Sequence, residues 1–253
     1  MKNRYSDLTE KVVFVTGAAS GIGQAQAKAF LEQGSRVFGF DQQLGRMDDL
    51  SQQFSETFAY FLGDITNHSL LKKAVEQCHE TFGKVAILLN TAGILDEYQP
   101  LLETDEALWD RVFAVNVKSM FQLTHLILPD MLEEETGTII NMASIAGFVG
   151  GGGGIAYTSA KHAIVGFTKQ LALDYASQGI RIKGIEPGAI QTPMNAADFA
   201  GNGEMAEWVA NETPVKRWAQ PEEVAELTLF LATPQASYIQ GTIIPIDGGW
   251  LLK

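Results

Sequence analysis

Seven short runs rich in β-branched and other apolar residues, at 12–16, 36–40, 59–62, 85–90, 137–142, 180–186 and 242–246, alternate with longer stretches of a different period. In those stretches, at 22–33, 69–82, 107–132, 157–177 and 221–232, apolar residues recur at i, i+3 and i+4, as amphipathic helices require. One shorter helix is predicted around 47–54. Strand, helix, strand in repetition is the order of βαβ units, whose right-handed crossovers lay helices over the sheet. The expected fold is α/β and doubly wound: a seven-stranded, mostly parallel sheet with helices on both faces. The 253 residues contain no composition break, linker or repeat, so 1–253 reads as a single domain.

Sheets of this kind bind ligands outside the carboxyl ends of their strands, where the strand order reverses. Polar and glycine residues stand at those ends here. Gly17 follows the first predicted strand, Asp41 the second, Asp64 the third, Asn90 the fourth, Ser144 the fifth and Pro187-Gly188 the sixth. Their recurrence at one edge argues that they share one site.

The segment Thr16-Gly17-Ala18-Ala19-Ser20-Gly21-Ile22-Gly23 joins the first strand to the first helix. A tight glycine turn in that place lets the backbone approach a pyrophosphate, and the helix N–H groups that follow are aimed at it. Asp41 ends the second strand, where a carboxylate accepts hydrogen bonds from the adenosine ribose hydroxyls and repels a 2′-phosphate. Gln42 and Gln43 follow it, with no Arg or Lys beside it, so NAD is expected in preference to NADP. A cap on the next helix is the other use for Asp41.

Tyr157 and Lys161 stand at i and i+4, on one face of a predicted helix. An ammonium close to the phenol stabilises the phenolate and lowers its pKa from about 10, which would make Tyr157 a general acid/base at neutral pH. Ser144 lies thirteen residues upstream of Tyr157. Taken alone, a Tyr and a Lys at this spacing also occur by chance on ordinary helices.

With these motifs in order, the chain resembles the short-chain dehydrogenase/reductase family over essentially its whole length. The resemblance rests on Thr16-Gly17-(x)₃-Gly21-x-Gly23, Asp64-Ile65, Asn90-Thr91-Ala92-Gly93, Asn116, Ser144, Tyr157-(x)₃-Lys161 and Pro187-Gly188. It implies a Rossmann-type three-layer fold and a homotetramer built on the long helices at 107–132 and 157–177. It further implies that Ser20, Gly21, Ile22 and Gly23 hold the pyrophosphate and that Asp64 and Ile65 flank the adenine. Asn90, Ala92 and Gly93 would line the cofactor floor, and Pro187, Gly188, Ile190 and Thr192 the nicotinamide side, with Thr192 on the carboxamide. Tyr157 would exchange the proton with the substrate oxygen and Ser144 would hold that oxygen. Lys161 would bind the nicotinamide ribose, and Asn116 would hold a water in the proton relay. The family often has a second Asn where this chain has Thr91; the first Asn and the Gly remain, so cofactor binding should not suffer.

Other chemistries find little support. The histidines, His68, His79, His125 and His162, are scattered without metal-ligand spacing, and Cys78 lies in a helical pattern away from any His or Asp cluster. A net charge of −12 repels nucleic acid and anionic membrane, and no apolar run reaches the ~18 residues needed to span a bilayer. A cytoplasmic enzyme with a small-molecule substrate is expected.

Within the family the chain resembles the 3-oxoacyl-acyl-carrier-protein reductases and nearby bacterial alcohol dehydrogenases, sharing their ending Gly241-Thr242-(x)₄-Asp247-Gly248-Gly249. An acidic carrier needs basic side chains near the entrance, and here the helix at 107–132 runs into Glu133, Glu134 and Glu135. The expected substrate wall is 95–98, 145–155 and 194–214, and no Arg or Lys occurs at 95–100, 145–155 or 194–214. An uncharged ketone or secondary alcohol is therefore expected, beneath a lid at 190–215 with Phe148, Met194, Phe199, Met205 and Trp208 as its apolar candidates. The glycine run from Gly150 to Gly154 is either space beside Ser144 or a flexible turn. The competing functions are a 3-oxoacyl thioester reductase and a non-catalytic NAD-binding sensor.

Overall fold

In the computed structural model, residues 4–252 are described. β1 (Val12–Thr16), α1 (Gly21–Glu32), β2 (Arg36–Asp41), α2 (Met47–Gln53), β3 (Phe58–Leu62), α3 (His68–Phe82) and β4 (Ile87–Asn90) form the first half. α4 (Glu106–Phe113), α5 (Ser119–Glu133), β5 (Gly137–Met142), α6 (Ile155–Tyr175), β6 (Ile180–Pro187), α7 (Glu204–Glu212), α8 (Pro221–Ala232) and β7 (Ile243–Ile246) complete it. The seven strands run in the order β3-β2-β1-β4-β5-β6-β7. Every pairing is parallel, and the order reverses between β1 and β4.

Because helices cover both faces, strand residues are buried whichever way they point, which is why the strands read as continuous apolar runs. In β1, Val13 and Val15 pack with Phe30, Leu31, Val224 and Leu229 of α1 and α8. Phe14 points the other way, to Leu71, Leu123 and Ile127 of α3 and α5.

β6 carries two cations into this interior. Lys183 is fully buried, and its Nζ donates to the Leu231 carbonyl at 2.6 Å, while Arg181 donates to the Ala232 carbonyl at 3.1 Å. These are carbonyls left over at the end of α8, where cations are favoured by the helix dipole. Burial still pulls the Lys183 ammonium down to about 8.

Two expectations need amendment. The helix predicted at 107–132 is divided by a π-helical turn, Ala114–Lys118, which holds Asn116. Such turns insert one extra residue and re-aim the side chains around them. The lid region at 190–215, for which the sequence predicts no helix, contains a 3₁₀ segment (Pro193–Phe199) and α7.

Candidate active site

A cavity of about 1140 Å³ opens at the carboxyl edge of the sheet, over the β1–β4 reversal. Its lining includes every residue named above for cofactor or catalysis except Asn90 and Asn116.

At the dinucleotide end the backbone is packed too closely for side chains. A Cβ on Gly23 would lie 2.2 Å from the Gly17 carbonyl oxygen, and one on Gly17, at φ +73°, would lie 3.1 Å from the Ala92 Cα. Ser20, the residue before α1, makes no side-chain cap, and the first turn of α1 has no acidic residue, so its N–H groups face the cavity uncompensated. Asp41 accepts from the Ala19 N–H at 3.1 Å and the Gln43 N–H at 3.0 Å, which fixes its carboxylate at the cavity wall. It does not cap α2, whose N-cap position is Arg46. Asp64 lies on the rim, accepting from the Thr66 N–H at 2.9 Å, with Ile65 beside it. The cradle, the free helix N-terminus and the placed carboxylate fit a nicotinamide dinucleotide.

The two asparagines are placed otherwise than expected. Strand alternation turns Asn90, with Leu88, towards α5 and α6, where its Nδ2 donates to Asn141 at 2.9 Å and Thr124 at 3.2 Å. Asn141 donates onward to Thr168 at 3.0 Å. Asn90 therefore ties the central strands to the helices beneath the cavity floor rather than forming that floor. Asn116 spends both polar atoms on Ile94, accepting its N–H at 2.8 Å and donating to its carbonyl at 3.0 Å. Its side chain clamps the loop after β4 and does not reach the cavity. The unexpected Thr91 has its own partner: its hydroxyl donates to Gln26 Oε1 at 2.6 Å, and Gln26 Nε2 donates to Thr228 at 2.9 Å.

At the other end Ser144, Tyr157 and Lys161 converge, all nearly buried. Ser144 accepts from the Ala146 N–H at 3.2 Å and shares a hydrogen bond with the Tyr157 phenol. Lys161 Nζ lies 5.4 Å from the centre of the Tyr157 ring and donates to the Met142 carbonyl at 2.8 Å. Burial governs both groups. It pushes the Tyr157 phenol up to about 12, against the opposing Ser144 hydrogen bond, and the Lys161 ammonium down to about 8. Against the lowering expected from the i, i+4 spacing, burial dominates the phenol, and the Lys161 ammonium is hydrogen-bonded to the Met142 carbonyl.

The family model described as enoyl-(acyl carrier protein) reductase matches residues 17–251. The chain belongs to the short-chain dehydrogenase/reductase family. It is 34% identical over 249 residues to the 3-oxoacyl-(acyl-carrier-protein) reductase FabG of Thermotoga maritima, covering 97% of this chain and 99% of the relative. It is 36% identical over 256 residues to the cyclohexanol dehydrogenase of Acinetobacter sp., covering 100% of this chain and 98% of the relative. A solved structure provisionally described as an NAD(P)-dependent gluconate 5-dehydrogenase of Beutenbergia cavernae, with bound NADP, superposes with a TM-score of 0.90 at 31% identity. The match covers 97% of this chain and 98% of that one.

In this short-chain dehydrogenase/reductase the wall near Tyr157 is mostly apolar. Of the lid candidates, Met194, Met205 and Trp208 line the cavity; Phe148 and Phe199 do not. Phe199 packs instead on Trp218, with ring centres 4.8 Å apart. Trp218 and Trp250 line the cavity and were missed, although each lies just outside a segment already singled out: the lid and the Asp247-Gly248-Gly249 ending. Arg111 of α4 was missed too, because it lies on none of the three wall segments. The glycine run is not a loose turn throughout: a Cβ on Gly153 would lie 2.4 Å from Tyr157 Cδ1. Glu133 and Glu134 need correcting as docking determinants. They pair with Lys84 at 2.7 and 2.8 Å at the end of α5 that leads into β5, the sheet edge opposite the cavity. Among the described residues no helix is long and apolar enough to cross a membrane, and no His, Cys, Asp and Glu side chains cluster as metal ligands.

Proposed function

We propose that the protein is an NAD(H)-dependent oxidoreductase interconverting an uncharged ketone and a secondary alcohol, with Tyr157 as acid/base. The observation that carries the substrate class is the wall beside Tyr157, where Leu95, Ile145, Met194, Met205, Trp208 and Trp250 face the cavity. Such a surface favours an apolar carbonyl compound and excludes water around it. The resemblance to a cyclohexanol dehydrogenase points the same way.

The bound nicotinamide supplies the hydride chemistry. In ketone reduction Ser144 Oγ and the phenol of Tyr157 hold the carbonyl oxygen, and the phenol gives it a proton as negative charge develops there. In the reverse direction Tyr157 Oη takes that proton back. Lys161, four residues on, lines the cavity and would bind the nicotinamide ribose, its Nζ held meanwhile by the Met142 carbonyl. Asn116 acts on this chemistry through the Ile94 backbone, by holding the loop that bears Leu95.

Turnover of NADH with a panel of cyclic ketones, small diketones and 3-oxoesters tests the reaction. Tight NADH binding with no turnover on any of them would leave the sensor function instead. Arg111 on the cavity and the Thermotoga relative favour a second reading, a 3-oxoacyl thioester reductase. A 3-oxoacyl thioester turned over faster than every free ketone would select it.

Cofactor choice rests on Asp41, since a solved neighbour carries NADP. Replacing its carboxylate removes the repulsion towards a 2′-phosphate and two ribose acceptors. Asp41→Ala is expected to narrow the NADH-over-NADPH preference in kcat/KM by roughly 100-fold. A wild-type enzyme that prefers NADPH refutes the assignment. For assembly we propose a homotetramer through the outer faces of α5 and α6, where Phe121 and Leu173 are 54% and 78% exposed. Light scattering on purified protein should return four times the chain mass, and a monomer would rule it out.

A further inference from the structure

Asp96, in the loop between β4 and α4, is 0% exposed and takes no part in the functions assigned above. A buried carboxylate is costly unless its lone pairs are filled, and these are filled by backbone N–H groups of two separate segments. Oδ1 accepts from Gly154 at 2.8 Å and from Tyr98 at 3.3 Å, while Oδ2 accepts from Tyr157 at 2.8 Å. α6 begins at Ile155, and Gly154 before it has no side chain with which to cap the helix. Asp96 therefore caps α6 from a different part of the chain, and one of the donors is the backbone of Tyr157 itself. A negative charge at a helix N-terminus is favoured by the dipole as well.

The fit leaves no slack. A Cβ on Gly154 would lie 2.6 Å from Asp96 Oδ2 and 2.6 Å from both the N and O of Gln99. The Gln99 carbonyl accepts from the Ile155 N–H at 3.2 Å, so loop and helix are joined at a second point. Glu97 and Tyr98 hold φ values of 55° and 58°, left-handed conformations that cost non-glycine residues energy and persist where the surroundings impose them. Tyr98 reaches the cavity from this strained loop.

We propose that Asp96 is the positioning residue of the reaction: it locks the first turn of α6, and with it Tyr157, to the loop that presents Leu95 and Tyr98 to the substrate. The proposal rests on Tyr157 being the acid/base. Asp96 touches no reacting atom and acts through the helix it caps.

The test is kcat per titrated NADH site in Asp96→Ala and Asp96→Asn. A displacement of about 1 Å at the reacting atoms costs on the order of 100-fold in rate, and that fall is expected for Asp96→Ala with the NADH Kd within twofold of wild type. Asp96→Asn keeps one acceptor and should recover roughly tenfold of the loss. The phenol is faced by Ser144, Tyr98, Asp96 and Lys161, and the Asp96 charge raises its pKa. In Asp96→Asn the inflection of log kcat against pH should therefore move to lower pH, which a loss of folded protein alone would not produce. Wild-type kcat per NADH site in both variants overturns the proposal. If Asp96→Ala does not fold, Gly154→Ala, which presses on the same carboxylate from the helix side, must reproduce the fall; normal kcat there overturns it equally. A Tyr157→Phe enzyme that still turns over would remove the underlying acid/base role instead, so the two failures are distinguishable.

Discussion

Tyr157→Phe should bind NADH within twofold of wild type and lose about 10³-fold in kcat, the usual worth of a positioned general acid. The ring fills a nearly closed space between Gly153, whose Cβ would lie 2.4 Å from Tyr157 Cδ1, and the Lys161 ammonium, so phenylalanine keeps the packing and loses only the hydroxyl. With the phenol pushed up to about 12, the group is protonated throughout the neutral range. It is then ready to donate, so ketone reduction should be nearly flat from pH 6 to 8, while alcohol oxidation, which needs the phenolate, should climb with rising pH. NADH absorbance, falling as ketone is reduced and rising as alcohol is oxidised by NAD, measures the rates and their pH profiles, and titration with NADH measures the binding. A variant with the wild-type rate would take Tyr157 out of the reaction.

Gly23→Ala should weaken the grip on the dinucleotide severely. Its Cβ would stand 2.2 Å from the Gly17 oxygen and 2.6 Å from the Gly17 carbonyl carbon, both backbone atoms. The only relief is to open the turn after β1, which moves the N–H groups that face the dinucleotide. NADH affinity is expected to drop by roughly 100-fold, equivalent to about 2.7 kcal/mol, with a lower Tm as well. Gly150→Ala is the matched control: a Cβ there meets nothing within 4 Å, and its affinity and Tm should match wild type. Isothermal titration with NADH reads both, and unchanged affinity in Gly23→Ala would show that the turn does not grip the cofactor.

The sheet was legible because its signal is local: each strand is a short apolar run, and a helical period of 3.6 takes over after Gly17, Asp41 and Asp64. The glycine turn, Asp41 and the Ser144, Tyr157 and Lys161 group were legible for the same reason, since each is a short motif at a strand end. What sequence spacing could not show is where a side chain points when its strand is buried on both faces. Asn90 carries polar atoms at a strand end, yet its register opposite Asn141 turns it under the floor. Asn116 is re-aimed by the π-helical turn, which leaves no mark in apolar periodicity. Arg111, Trp218 and Trp250 reach the cavity by tertiary packing alone. The direction of the Lys161 ammonium depends on a carbonyl nineteen positions away in sequence, and the raised Tyr157 pKa on how deeply tertiary packing buries the phenol.

The link from Thr91 through Gln26 to Thr228 has a bearing on how such a chain can change. Three side chains from the β4 loop, α1 and α8 are joined by these hydrogen bonds, with Gln26 and Thr228 fully buried. A longer side chain at 91 would have to find a new donor and new room at 26, and 26 cannot alter without stranding 228. Replacements at 91, 26 and 228 are therefore expected to be energetically coupled rather than additive.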